Sequence, residues 1–235
     1  MKQNKKLPGS PKSKRDASPS LAQFIEHTIL KPEATLHDLK RLCDEAKLWH
    51  FKGVCVNACN IDFVAKELKD TGVILVAVVG FPLGASTAKT KAFEARGAIL
   101  AGAREIDMVI NLGALKSQDY RTVIEDIQQV VEASKPFPVK VILETASLND
   151  EEKIIASALA KGAGAAFVKT STGFAAGGAN VKDVALMRRI VGSDMGVKAS
   201  GGIKTLDDAK AMISAGANRL GCSTSVAIMQ SLEKS

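Results

Sequence analysis

Eight short apolar segments recur along this chain, and helix-patterned stretches separate most of them. That alternation restricts the fold more than any other feature. The segments are "FIEHTIL" (24–30), "GVCV" (53–56), "VILVAVVGF" (73–81), "EIDMVIN" (105–111), "VKVILET" (139–145), "AAFVKT" (165–170), "GVKAS" (196–200) and "NRLGCS" (218–223). Most are Val/Ile-rich and almost continuously apolar, the pattern of strands covered on both faces. The first is interrupted by His27 and Thr28. Between them Ala, Leu, Glu and Lys recur at spacings of three and four, as in "ATLHDLKRLCDEAKLW", "STAKTKAFEARGAILAG", "YRTVIEDIQQVVEAS" and "LDDAKAMISAG". Gly72, Gly102, Gly162 and Gly216 stand where helix ends are expected. Strands and helices alternating over residues 21–235 predict an α/β chain folded as a single-domain parallel (β/α)8 barrel. A doubly wound open sheet is the alternative, but no GxGxxG opens a first helix and no Walker motif is present.

The chain is 46% hydrophobic, enough for one large core, and its net charge is +7. The charge is uneven: residues 1–20, "MKQNKKLPGSPKSKRDASPS", contribute +5 and the remainder only +2. Such a Lys/Pro/Ser-rich head cannot bury enough apolar surface to order itself, and it is expected to be a disordered extension. No apolar run reaches the ~18–20 residues of a membrane span, and no signal-peptide core is found, so a cytoplasmic protein is expected. Cys43, Cys55, Cys59 and Cys222 form no CxxC pair and are expected as reduced thiols. His27, His37 and His50 are the only histidines. With no HExxH motif, no metal site is expected.

In a barrel of this kind the chemistry sits at the C-terminal ends of the strands. Asp107 and Asn111 belong to the fourth segment, Glu144 and Thr145 to the fifth, Lys169 and Thr170 to the sixth, and Lys198 and Ser200 to the seventh. A lone strand-end lysine is ordinarily an exposed rim residue, because lysines are rarely buried without a partner. Two lysines and an acid at one end of neighbouring strands are harder to dismiss. Adjacent ammonium groups in an apolar setting are expected to depress one another's pKa, giving an amine that can form a Schiff base with a carbonyl. A second site is expected where "SGGI" (200–203) and "GCSTS" (221–225) follow the last two strands. Barrels often bind phosphate there, through main-chain N–H groups and a helix N-terminus. Gly173 adds another N–H, and Ser223 and Thr224 add hydroxyls. A small phosphorylated carbonyl compound is the ligand these features suit.

The stretches "HTILKP", "GVCVN", "VAVVGFPLG", "EIDMVIN", "VKVILET", "FVKTSTGF", "VKASGGI" and "RLGCST" resemble the deoxyribose-phosphate aldolase family across all eight strands. The resemblance implies a class I aldolase that interconverts 2-deoxyribose 5-phosphate with acetaldehyde and glyceraldehyde 3-phosphate, without a cofactor. It implies Lys169 as the Schiff-base lysine, Lys198 as the second lysine and Asp107 as the acid/base partner, acting with a bound water. Gly173, Gly201, Gly202, Ser223 and Thr224 fall where the family holds phosphate. Cys55 falls near the pocket, where a small buried hydrophobe is the simpler expectation. Glu26 stands where some members have Asp, which puts a supporting proton-relay role there in question. Phe174 replaces a lysine of some members, removing one phosphate cation. A homo-oligomer, dimer or tetramer, is expected, with no specific nucleic acid or membrane partner. The competing readings are a sugar-phosphate isomerase on the same scaffold and an idle barrel docked to nucleic acid by its basic head.

No motif residue precedes residue 24. Deleting residues 1–18 should therefore leave turnover within about twofold while lowering the isoelectric point. A tenfold loss in a folded truncation would show that the head takes part.

Overall fold

The computed structural model describes residues 20–234; the basic head, apart from Ser20, lies outside them. Eight parallel strands close into a barrel, each hydrogen-bonded to the next and the eighth to the first. They are β1 (Ile25–Ile29), β2 (Gly53–Val56), β3 (Ile74–Val79), β4 (Glu105–Val109), β5 (Val139–Ile142), β6 (Phe167–Lys169), β7 (Gly196–Ser200) and β8 (Arg219–Cys222). Each falls inside the apolar segment that predicts it, and closure removes the open-sheet alternative. β2 and β7 fill their segments, whereas β4 and β5 stop short of Asn111 and of Glu144 and Thr145, polar residues that leave the ladder to build loops.

The helices that wrap the barrel are α1 (Leu36–Leu48), α2 (Ile61–Glu67), α3 (Ala88–Ala101), α4 (Leu112–Lys116), α5 (Tyr120–Ser134), α6 (Asp150–Gly162), α7 (Val181–Val191), α8 (Leu206–Ser214) and α9 (Ser225–Glu233). The short α4 is additional to the eight expected. Asn111, expected on strand 4, caps it by accepting a hydrogen bond from the Ala114 N–H. Side-chain chemistry also sets the starts of α1, α6 and α8, with capping boxes at Thr35/Asp38, Asn149/Glu152 and Thr205/Asp208. Gly102 closes α3 at φ +121, a conformation other residues adopt at a cost. Gly162 does not play that part. It is the last residue of α6, and the left-handed step is taken at Gly164, φ +86.

Helix and strand side chains form one continuous core between the helical ring and the outward faces of the strands, including Val54, Ala77, Ile106, Val141, Val168, Val197 and Leu220. Alternation sends the neighbours of those residues toward the axis. Among them are Glu26, Asp107, Lys140, Lys169 and Lys198, all buried. The interior of this barrel is thus charged where a purely structural one would be filled by branched apolar side chains. Outside the barrel, α3 and α5 share one further buried pair, with Lys91 Nζ donating to Asp126 Oδ2 at 2.7 Å and to the Val109 carbonyl oxygen at 2.9 Å. That second bond ties the C-terminal end of β4, two residues beyond Asp107, to the helical layer. No helix among the described residues is long and apolar enough to cross a membrane.

Candidate active site

Strand register sets the geometry of the interior. Lys169 on β6 lies beside Lys198 on β7, and Asp107 on β4 lies beside Lys140 on β5. Asp107 is fully buried and serves all three lysines. Its Oδ2 accepts from Lys169 Nζ at 2.8 Å and from Lys198 Nζ at 2.7 Å, while Oδ1 accepts from Lys140 Nζ at 2.9 Å. Behind this group Lys198 donates to Glu26 Oε2. Lys140 lies 2.5 Å from Glu105 Oε2 and 3.4 Å from Glu26 Oε1, and Arg219 Nε lies 3.7 Å from Glu26 Oε1. Room for the Lys198 stem comes from Gly221, where a Cβ would stand 3.1 Å from Lys198 Cε and 2.9 Å from Ser200 Cβ.

The charges fix one another's protonation. Burial by itself would raise the Asp107 carboxyl, but the ammonium groups of Lys140, Lys169 and Lys198 outweigh it and hold the group well below the usual carboxylate range. Burial by itself would lower Lys198, yet Asp107 and Glu26 hold it well above the ordinary lysine value. Glu26 is likewise brought down against burial by Lys140 and Lys198, and Lys140 is pushed up against burial by Asp107 and Glu26. Mutual depression of the two lysines, expected from sequence, is therefore overturned at Lys198. Each of its ammonium neighbours is matched by a carboxylate at hydrogen-bonding distance, so attraction exceeds repulsion.

A cavity of about 720 Å³ opens at the C-terminal ends of β1, β6, β7 and β8. Lys169, the last residue of β6, lines it, whereas Lys198 and Asp107 lie deeper and do not. Gly173, Gly201, Gly202, Ser223 and Thr224 line the same cavity. All three glycines have positive φ, and Ser223 and Thr224 immediately precede α9. Thr224 Oγ1 donates to the Ile203 carbonyl oxygen at 3.2 Å, joining the loops after β7 and β8. The structure thus gathers every residue expected at the site into one place, with two at the amine's rear and six on the cavity wall.

Other members of the site escape a reading of motifs. Glu26 is no bystander, since it closes the back of the lysine pair. Lys140 and Glu105 belong to the same cluster; their signal is a lysine and a glutamate inside continuously apolar strands, at positions that alternation places on the Asp107 face. Lys31 and Lys204 line the cavity as well, each directly after a strand-end motif ("HTIL" and "SGGI"). They supply the positive charge that Phe174 does not. Phe174 is half-exposed and stacks edge-on to Phe81, ring centroids 5.3 Å apart. Cys55 stays out of the cavity wall, buried with Leu30, Val76 and Val78. Cys222 lines the cavity, but burial pushes its thiol up to about 12.

A closed barrel that presents an amine to a cavity, with ion pairs behind it, is an arrangement suited to carbonyl chemistry of the aldolase class. The chain belongs to the DeoC/LacD family of aldolases, whose model matches residues 20–231. It is 56% identical to the deoxyribose-phosphate aldolase of Staphylococcus carnosus over 212 residues, 90% of this chain and 96% of that one. It is 58% identical to the enzyme of that name from Clostridium novyi, with the same coverage. Among solved structures, the tetrameric deoxyribose phosphate aldolase of Aeropyrum pernix superposes with a TM-score of 0.85 at 33% identity, covering 91% of each chain.

Because Asp107 is ionised in the fold at a pH where an unfolded aspartate has taken up a proton, the unfolded state binds more protons in acid. Stability should therefore fall as pH drops below the ordinary aspartate value of ~3.9 toward the depressed folded value. Asp107→Asn lacks this contribution. Its urea midpoint, lower than wild type at neutral pH, should decline less steeply between pH ~5 and ~2.5. Parallel declines in the two proteins would show that Asp107 is not held ionised by the lysines.

Proposed function

We propose that this chain is a class I aldolase that reversibly cleaves 2-deoxy-D-ribose 5-phosphate to acetaldehyde and D-glyceraldehyde 3-phosphate through a Schiff base on Lys169. One observation carries the choice of lysine. Lys169 alone of the clustered lysines reaches the cavity, and it has a single ion-pair partner where Lys198 and Lys140 have two and three. With Lys169 as its free amine, the cations Lys140, Lys198 and Arg219 match the carboxylates Glu26, Glu105 and Asp107 one for one.

In the cleavage direction the Lys169 amine adds to the C1 carbonyl of the open-chain sugar, and the resulting carbinolamine loses water to give an iminium ion. Breaking the C2–C3 bond sends its electron pair into that iminium as an enamine, while the C3 hydroxyl gives up its proton and becomes the aldehyde of glyceraldehyde 3-phosphate. Protonation of the enamine at C2 and hydrolysis release acetaldehyde and restore the amine. Asp107 Oδ2, shared by Lys169 and Lys198, is placed to take a proton from the attacking amine, and the Lys198 ammonium to return one to the departing oxygen. Gly173, Gly201 and Gly202 offer main-chain N–H groups to the phosphate, with Ser223, Thr224, Lys31 and Lys204 around them. A homo-oligomer is part of this reading. It draws on the tetrameric relative and on Phe93 and Leu100, apolar side chains on the outer face of α3 that this single chain leaves more than four-fifths exposed.

Borohydride added with acetaldehyde should leave a reduced two-carbon adduct on Lys169 and on no other residue, located by peptide mass spectrometry. Lys169→Arg should abolish both the adduct and turnover of deoxyribose 5-phosphate, a loss of at least about 10³-fold for a covalent nucleophile. An adduct on Lys198 would reverse the assignment. No adduct on either lysine would point to chemistry without an imine, as in an isomerase.

A further inference from the structure

Glu144 is buried at the end of β5, outside the lysine cluster, in the left-handed conformation with φ +55 and ψ +60. Few non-glycine residues adopt this conformation, and where they do the surrounding structure must hold them there. The side chain shows what holds it. Glu144 Oε2 accepts from the Thr172 main-chain N–H at 3.2 Å and also from the Thr172 hydroxyl, and that hydroxyl oxygen accepts from the Phe174 N–H at 3.1 Å. One carboxylate therefore fixes the backbone from residue 172 to 174, on either side of Gly173. The left-handed turn at Glu144 also leads directly into the 3₁₀ turn Thr145–Ser147, which supports the far end of the same loop. A Cβ on Gly177 would stand only 2.4 Å from Ala146 Cβ, so loop and turn are in close contact. Beyond it, the Ala179 N–H donates to the carbonyl oxygens of Ser200 (3.1 Å) and Gly201 (2.9 Å). Residues 172–178 form one wall of the cavity, resting at both ends on the 144–147 segment and joined to the glycine pair after β7.

We infer that Glu144 is a positioning residue for recognition of the substrate's phosphate. It touches no reacting atom, but it sets the height and direction of the Thr172–Gly173–Phe174 backbone over the cavity, and hence the Gly173 N–H relative to those of Gly201 and Gly202. The inference rests on the phosphate reading given above. A carboxylate suits the task because it can accept from both the N–H and the hydroxyl of one threonine, and charge-assisted bonds of this kind are the stronger ones.

The test compares 2-deoxyribose 5-phosphate with unphosphorylated 2-deoxyribose. Glu144→Ala should raise KM for the phosphorylated sugar about 10- to 100-fold, with kcat falling no more than about threefold, and should affect the free sugar much less. Glu144→Gln, whose amide oxygen can still accept from Thr172, should recover most of the loss. If Glu144→Ala does not fold, Glu144→Asp serves, because its carboxylate is one methylene too short to reach Thr172. The opposite support gives an independent reading: Gly177→Ala should show the same selective rise in KM, and adding Ala146→Gly should reverse it. Ser223→Asp, which puts a negative charge at the phosphate itself, is the control. Equal losses on both sugars from Glu144→Ala, or an unaltered KM, would overturn the inference while Ser223→Asp stays selective. Equal losses from Ser223→Asp would instead overturn the phosphate reading, and this inference with it.

Discussion

Asp107 organises the interior of this barrel. Its two carboxylate oxygens accept hydrogen bonds from three buried lysines on three different strands. Burying even one such ion unpaired costs several kcal/mol, and a buried pair is tolerated only when its geometry satisfies the remaining donors and acceptors. Here Glu26 and Glu105 add ion pairs to Lys198 and Lys140 from behind. Removing the central carboxylate would leave three ammonium groups facing one another.

The consequence for reactivity is a division of labour between two lysines that sequence makes look equivalent. Lys198 lies mid-strand, between two carboxylates, and is held as a cation. Lys169 lies at the last position of its strand, touches one carboxylate and lines the cavity. The two lysines stand side by side in register, but β6 ends at Lys169 while β7 runs on to Ser200, and the absent side chain at Gly221 gives the Lys198 stem its room. On the far side of the cavity stand the glycines after β6 and β7 and the hydroxyls of Ser223 and Thr224 after β8, and these loops are tied to one another rather than left free.

Much of this was legible in the sequence. Closely apolar segments marked all eight strands, because a strand covered by helices outside and side chains inside has little polar surface to show. The helix Tyr120–Ser134 was read to the residue, since its period and its ending are both unambiguous. Asp107, Lys169 and Lys198 are legible as charged residues inside apolar segments, and Gly173, Gly201 and Gly202 as small residues just beyond two of them. What escaped depended on register between strands. Nothing along the chain says that Lys140 stands opposite Asp107, or that Glu26 reaches Lys198 across a barrel closed by residues 172 positions apart. For the same reason the sequence does not give the direction of the Lys198 shift: it shows two cations and one acid, but not that Asp107 and Glu26 both reach Lys198. The left-handed Glu144 was equally hidden, because glutamate gives no local signal for that conformation.

The central claim is that Lys198 rests as an ammonium which holds the cluster together and leaves nucleophilic attack to Lys169. The most direct measurement is an NMR titration of protein labelled with 13C at lysine Cε, with the Lys198 resonance assigned by its absence from Lys198→Arg. The account predicts that this resonance keeps its ammonium position through and beyond the ordinary lysine pKa of ~10.4. A Lys198 resonance that titrates below pH ~9 would contradict it, because an ammonium paired to both Asp107 and Glu26 cannot lose its proton more readily than one in water.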